Sequence, residues 1–106
     1  MDKVAINEKD FWTVKAKFRL KRTEQGGRKT SIINGYRPNH VFEYDRENKM
    51  KNAYMGFVKL EEQETINPGE EKIVKVLFIP GQPIERFLTV GRTWWIHEGP
   101  NPVGEA

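Results

Sequence analysis

The stretch GGRKTSIINGYRPN, from Gly26 to Asn39, combines turn-forming residues with positive charge. It contains three glycines, one proline, two arginines and one lysine. The Gly26-Gly27 pair is a loop signal, and Pro38 lacks the backbone N–H that a central strand position requires. Residues 31–34 leave room for one short strand between these points. The stretch therefore predicts two turns joined by a short strand, and it leaves open whether its charges are merely solvated or bind an anion.

A segment with strand periodicity precedes this stretch. From Thr13 to Leu20, polar and apolar residues alternate, so every second side chain falls on the same face. The face predicted to point inward carries Val14, Ala16, Phe18 and Leu20. This period of two predicts a half-buried strand.

The segment AYMGFVKLE, at residues 53–61, also alternates, but its register is ambiguous. One register places Tyr54, Gly56, Val58 and Leu60 on a common face. The other places Ala53, Met55 and Phe57 together. Both faces are apolar, so the pattern predicts a strand without deciding which face lies inside.

Further strand-like segments and turns alternate through the rest of the chain. HVFEYD (40–45) and EKIVKVLFI (71–79) favour strands, and NPG (67–69) predicts a type II turn because proline fixes the second position and glycine accepts a positive φ at the third. ERFLTV (85–90) and GRTWWIHEG (91–99) resemble two more strands. No segment shows helical periodicity, so the chain is predicted to be an all-β sandwich or barrel.

The composition limits the function classes open to the chain. Its 106 residues suit one small domain, and 18 basic residues against 15 acidic ones give a net charge of only +3. There are no cysteines and only two histidines, which argues against disulfides, thiolate catalysis, cysteine zinc sites and other metal centres. No apolar run reaches the roughly 18 residues of a membrane helix, and the N-terminus is unlike a signal peptide. We therefore expect a cytoplasmic protein without a metal, cofactor or membrane partner.

The order of these motifs resembles the third domain of translation elongation factor Tu. The family has a GGR…GYRP hairpin, matched here at 26–38, and a proline-glycine turn before a strand, matched by NPG at 67–69. HEG at 97–99 and VG at 103–104 match its last two strands. The resemblance covers residues 11–106, behind a polar lead-in of residues 1–10. It implies a small, six-stranded antiparallel barrel in which Trp94 and Ile96 face inward and Trp95 faces outward.

Three departures from the family pattern change that expectation. The chain is longer than the family between Asn39 and Met55, and longer again between Pro80 and Gly91. Ala106 falls where the last family strand is just beginning, so the resemblance implies a barrel that is incompletely closed, with two exposed edges. We hypothesise that residues 1–10 or a partner cover those edges.

No constellation of catalytic residues is apparent in the sequence. The phosphate-binding loop of the GTPase domain is absent, so the resemblance implies neither GTP hydrolysis nor a nucleotide cofactor. The acidic cluster Glu61, Glu62 and Glu64, beside Thr65, lacks partners for acid–base chemistry and is better explained as a solvated loop. We therefore expect the protein not to be an enzyme.

The resemblance also implies candidate binding residues, because the family domain grips the T-stem backbone of aminoacyl-tRNA and contacts proteins. The positions that match RNA contacts are Arg28, Lys29, Asn39, Glu98 and Gly99. Two further contacts of the family fall on Met55 and Pro80, where they would be lost. Recognition of this kind reads backbone shape rather than base sequence. The alternative for Arg28 and Lys29 is simple solvation, and for Arg37 it is pairing with a carboxylate or packing across the barrel.

The tryptophans divide between core and surface in this interpretation. Trp12 and Trp94 are predicted to be core residues, whereas the outward-facing Trp95, with His97 on the same face, is a candidate interface anchor. Burial of Trp95 beneath residues 80–90 is the alternative. These features favour a non-catalytic module for protein–protein interaction, in translation or a toxin–immunity system. The alternatives are binding of tRNA or structured RNA, and origin as a fragment of a longer protein.

Overall fold

A computed structural model describes residues 11–106, which form eight strands and two short 3₁₀ turns. The lead-in of residues 1–10, and with it the hypothesis that the lead-in covers a barrel edge, lies outside the described residues. The strands are β1 (Trp12–Leu20), β2 (Ile32–Ile33), β3 (Asn39–Val41), β4 (Tyr54–Lys59), β5 (Thr65–Ile66), β6 (Glu71–Phe78), β7 (Trp95–Glu98) and β8 (Asn101–Glu105). The 3₁₀ turns are Thr23–Gln25 and Glu85–Phe87. Within the described part of the chain, no helix has the length and apolar character needed to cross a membrane.

Six of the strands form a closed antiparallel barrel in the order β1-β6-β4-β3-β7-β8, while β2 and β5 form a separate two-stranded sheet. This confirms the predicted all-β barrel. The expectation of incomplete closure is corrected, because β8 pairs with β7 and also reaches β1 through Arg19↔Glu105 and Leu20↔Gly104. Gly104 permits this contact, since a Cβ there would lie 2.4 Å from the backbone oxygen of Arg19.

The strand registers follow from which side chains fit inside the barrel. In β1 the predicted face is inward, with Ala16 and Phe18 buried. In β4 the structure selects the first of the two registers, because Tyr54 and Val58 are buried. Gly56 shares that inward face, where a Cβ would lie 2.9 Å from the ring of Phe78.

The segment of residues 80–90 packs into the core but does not form the strand predicted for ERFLTV. Its backbone makes the 3₁₀ turn Glu85–Phe87, which buries Ile84 and Phe87. The ring of Phe87 stacks on Phe42, with centroids 4.9 Å apart and planes 10° apart. The longer connection therefore adds aromatic packing to the barrel core instead of a further strand.

The two tryptophans predicted to be core residues have different environments. Trp94 is buried, as predicted, and donates from Nε1 to Nδ1 of His40 at 3.0 Å. Trp12 is 43% exposed, so its prediction was wrong. It is the first residue of β1, on the stretch of that strand that has no β8 neighbour.

His40 lies at the centre of a short hydrogen-bonded chain inside the barrel. With Nδ1 accepting from Trp94, the Nε2–H of the neutral ring donates to the backbone oxygen of Gly56 at 3.2 Å. The ring of Phe78 packs edge-on at 4.8 Å. Burial lowers the pKa of His40 to about 4, and the hydrogen bond to Gly56 opposes this only partly. The barrel thus holds His40 as a neutral ring that joins three strands.

This neutral, buried histidine predicts that stability falls in mild acid. The unfolded chain binds a proton at His40 near its ordinary pKa of about 6.5, whereas the folded chain does so only near pH 4, so unfolding is favoured as the pH falls between those values. The contribution of His40 amounts to about 3 kcal/mol across this range. Urea unfolding of the wild type and of His40→Gln from pH 7 to pH 4 measures it. The variant should lose less stability on acidification, and parallel curves would contradict the assignment.

Candidate functional site

The structure brings the residues of the predicted binding surface to one end of β7. Glu98 is the last residue of that strand, and the exposed Gly99 follows it with a φ of +59°. Arg28 reaches Glu98 from the loop after β1, with Nη1 donating to Oε2, and Lys29 is the next residue of that loop. Asn39 pairs with His97, so it lies on the strand beside this end of β7.

Arg28 is held by several contacts and is not simply solvated. Its Nε donates to the backbone oxygen of Thr30 at 3.2 Å, and its Nη2 donates to the hydroxyl of the same residue at 3.1 Å. Its guanidinium lies 5.0 Å from the ring centre of Tyr36, whose hydroxyl donates to Glu98 at 2.5 Å. Burial and the bond to Glu98 raise the pKa of Tyr36. Arg28, Tyr36 and Glu98 therefore form a closed ion-paired network.

This network changes the electrostatics expected for the surface. The Arg28 side chain is only 22% exposed, and its charge is balanced by Glu98. Lys29 is exposed and makes no salt bridge within residues 11–106. Arg37 is likewise exposed and has no ion pair within residues 11–106. Its pairing with a carboxylate, or the packing of its stem across the barrel, stays a prediction. Among the described residues, the surface offers an anion the exposed cations of Lys29 and, separately, Arg37.

Trp95 lies on the outer face of β7, in the predicted orientation, and its side chain is half-buried. The residue that covers it is Tyr44, whose ring packs edge-on at 5.0 Å. Tyr44 belongs to the longer connection between β3 and β4, which folds back through a bridge between Tyr44 and Met50. The alternative that residues 80–90 bury Trp95 is therefore wrong.

His97 is buried, with only 2% of its surface exposed, although it was predicted to be a surface residue beside Trp95. His97 does share the outer face of β7, but the side chain of Tyr44 covers it, and the Tyr44 hydroxyl lies 2.5 Å from Nε2 of His97. Burial lowers the pKa of His97. His97 thus positions Tyr44 and cannot itself present its ring to a partner.

A groove adjoins these aromatic side chains, which we call the Trp95 groove. It has a volume of about 400 Å³. Its lining comprises Trp95, Tyr44, Arg19, Lys21, Gln25, Pro102, Gly104 and Glu105. Trp95 and Tyr44 form an aromatic wall, and the groove also carries the basic side chains of Arg19 and Lys21, of which Arg19 is already paired with Glu105. This lining suits an apolar or aromatic side chain. Sequence reasoning missed Tyr44, and the only available signal was the extra length between Asn39 and Met55.

The described residues contain no group of three or more histidine, aspartate or glutamate side chains arranged to hold a metal ion. No protein-family model matches the chain, and neither does any curated protein. The chain is thus defined by its structure as a small, closed, six-stranded antiparallel barrel with two surface features: the ion-paired network of Arg28, Tyr36 and Glu98, and the Trp95 groove.

Replacing Glu98 with glutamine tests the network of Arg28. Glu98→Gln keeps the shape of the side chain but removes the charge, leaving a partly buried guanidinium without its counter-ion. We expect the free energy of unfolding in urea at pH 7 to fall by about 1 kcal/mol, a value reduced for the partial exposure of the pair. The matched control is Glu105→Gln, whose exposed pair with Arg19 spans 4.0 Å and should contribute less than about 0.5 kcal/mol. Equal losses in the two variants would contradict the network.

Proposed function

We propose that this chain is a non-catalytic module that binds another protein through the Trp95 groove. The observation that carries the proposal is the outward-facing Trp95, which lines an open groove together with Tyr44 and the cations of Arg19 and Lys21. Tryptophan, tyrosine and arginine are the residues most enriched at the centres of protein interfaces. Since His97 holds Tyr44 by its hydroxyl, the aromatic wall is fixed before a partner arrives, which lowers the entropic cost of binding.

The charge distribution supports a protein partner over a polyanion. The net charge is only +3, and the most prominent candidate for phosphate contact, Arg28, is neutralised by Glu98. Affinity for nucleic acid depends mainly on lysine and arginine side chains whose charge is not already balanced. The predicted RNA surface therefore has little positive charge to attract a phosphate backbone.

We further propose that the barrel is related to the third domain of elongation factor Tu and acts in the cytoplasm, in a translation-related or toxin–immunity context. The motif order of the sequence supports this relation, and the closed six-stranded antiparallel barrel is compatible with it.

A second candidate function is binding of tRNA or structured RNA. It is supported by the position of Lys29, Glu98 and Gly99 at one end of β7, with Asn39 on the neighbouring strand. The exposed Lys29 and the exposed backbone of Gly99 are the groups there that remain open to a phosphate or ribose.

Affinity capture from an extract of the cells that produce this protein distinguishes protein binding from RNA binding. Immobilised wild type is compared with Trp95→Ala and with the matched control Trp12→Ala, which removes an exposed tryptophan from another part of the barrel. We expect a protein to be enriched by the wild type and by the control, and to be depleted about tenfold or more by Trp95→Ala, as for a hot-spot residue. Thermal unfolding confirms that each variant is folded.

Ribonuclease treatment of the extract provides the second arm of the same experiment. Enrichment that survives ribonuclease and requires Trp95 supports protein binding. Enrichment that is lost after ribonuclease treatment and in Lys29→Ala, but is retained by Trp95→Ala, would contradict protein binding through the Trp95 groove. It would support RNA binding instead. Identical capture by the wild type, Trp95→Ala and Trp12→Ala would contradict binding through the Trp95 groove.

A further inference from the structure

A buried histidine lies beneath the aromatic wall of the Trp95 groove. The side chain of His97 is on the outer face of β7 but is only 2% exposed, because Tyr44 covers it. The two rings lie 5.6 Å apart between centroids, and the Tyr44 hydroxyl bonds to Nε2 of His97. The same tyrosine ring packs edge-on against Trp95 at 5.0 Å. One side chain therefore buries the histidine and completes the groove.

Tyr44 belongs to a small hairpin of residues 43–51, which we call the Tyr44 hairpin. Its two sides are joined by a bridge between Tyr44 and Met50 and by a hydrogen bond of 3.1 Å from the N–H of Lys51 to the carbonyl of Glu43. Its tip, residues 45–49, is exposed. The hairpin is thus closed by its own backbone bonds, and its shape does not depend on its contact with β7.

Few contacts attach this hairpin to the barrel. Among residues 11–106, every ring contact and hydrogen bond that links the hairpin to β7 comes from Tyr44. Its one ion pair with the rest of the described barrel joins Glu43 to the exposed side chain of Arg86 at 3.7 Å. A solvated pair of this kind contributes little to stability. The attachment of the hairpin to β7 therefore depends on the surroundings of Tyr44, and so on the state of His97.

The surroundings of His97 suit a neutral ring. Its Nδ1 is buried, and no group among residues 11–106 forms a hydrogen bond of normal geometry with it. A protonated ring would carry N–H donors at both nitrogens as well as a buried charge, which is costly to remove from water. Burial lowers the pKa of His97, although the nearby backbone of Pro100 and Gly99 opposes this shift.

The side chains of the neighbouring elements do not compensate a positive charge on His97. Lys21, just after β1, lies close enough for its own charge to disfavour protonation. On either side of β7, the residues that pair with His97 are the neutral Asn39 of β3 and Pro102 of β8. The hairpin contributes the hydroxyl of Tyr44, which is uncharged in this pH range.

The nearest carboxylates along the chain are already engaged elsewhere. Glu98, the residue after His97, bonds to Arg28. Glu43, in the hairpin, pairs with Arg86. No carboxylate of residues 11–106 forms an ion pair with the histidine. A proton on His97 would therefore place an unbalanced charge beneath Tyr44.

We propose that the Tyr44 hairpin is a pH-sensitive cover, which stays closed over β7 while His97 is neutral and which releases Tyr44 from Trp95 when His97 takes up a proton. The open form lets water solvate the charged ring, so it binds a proton more readily than the closed form. The ratio of open to closed hairpin should therefore rise as the pH falls below the ordinary histidine pKa of about 6.5. The rise is at most about tenfold for each pH unit, because one proton is involved.

The consequence of this opening rests on the proposed function, since loss of Tyr44 from the aromatic wall would release a protein bound in the Trp95 groove. The conformational step itself needs no partner, so the free chain reports it. A failure to capture any protein partner would contradict the proposed function and would leave the test of the cover intact.

NMR spectroscopy of the full chain between pH 7.5 and pH 5 follows the cover directly. The ring-proton shifts of His97 give its titration, and the nuclear Overhauser effect between Tyr44 and Trp95 gives the closed population. We expect this effect to weaken over the same pH interval in which His97 takes up its proton. The range stays above the pH of about 4 at which the buried His40 titrates, and the amide signals of β6 check that the barrel remains folded.

Three variants separate His97 from other titrating groups. His97→Gln can still bond the Tyr44 hydroxyl but takes up no proton, so its contact with Trp95 should not change with pH. The matched control His40→Gln removes the other histidine and should keep the pH dependence of the wild type. Tyr44→Phe removes only the hydroxyl, and its open fraction at pH 7.5 should be about fivefold larger because one hydrogen bond is lost.

Three results would overturn the proposal. The first is titration of His97 while the contact between Tyr44 and Trp95 stays unchanged, which would show that the charged ring is accommodated beneath the closed hairpin. The second is a His97 that remains neutral down to pH 5. The third is a pH-dependent loss of the contact that persists in His97→Gln, which would assign the effect to another group.

Discussion

The contact between β1 and β8 is the constraint on which the rest of the barrel depends. It consists of two residue pairs, Arg19↔Glu105 and Leu20↔Gly104. The strands can approach there because Gly104 has no side chain to meet the backbone of Arg19. This short contact is enough to close the sheet around Phe18 and Leu20, both fully buried. It also leaves the remainder of the β1 edge without a partner in the described chain.

Two long connections give this barrel its surfaces. The connection between β3 and β4 folds back on itself and places Tyr44 against Trp95, where His97 holds its hydroxyl. Residues 80–90 send Phe87 into the core and leave Leu88 and Val90 beside β1, where they line an open groove. These surfaces thus depend on connections between strands and not on the strands alone.

The sequence predicted the fold well where local periodicity was unambiguous. The alternation in β1 was correct because strand side chains alternate strictly between the two faces. The orientation of Trp94 and Trp95 was implied by the resemblance and agrees with the structure. The register of β4 could not be decided because both of its faces are apolar, and the choice depends on Gly56 leaving room for Phe78 and His40. Barrel closure was missed because the resemblance placed Ala106 at the start of the last strand, whereas β8 already runs from Asn101 to Glu105 and reaches β1.

The candidate site was harder to predict because its contacts join distant parts of the chain. Arg28 and Glu98 were both chosen from the resemblance, but nothing local to either residue shows that they neutralise each other. The burial of His97 depends on Tyr44, which a loop brings from elsewhere in the sequence. A sequence motif identified these positions, whereas their charge state and exposure required the three-dimensional structure.

Amide hydrogen exchange along β1 tests most directly whether the barrel is closed by a short contact that leaves one strand edge open. In the full chain, the amides of Ala16 and Phe18 point towards β6 and should be protected nearly to the level of global unfolding. The amides of Lys15 and Lys17 point away from β6 and should exchange at least about a hundredfold faster, since no strand within residues 11–106 pairs with them on that edge. Equal protection of the two sets would show that β1 is paired along both edges, and would contradict closure of the barrel by the short β1–β8 contact alone.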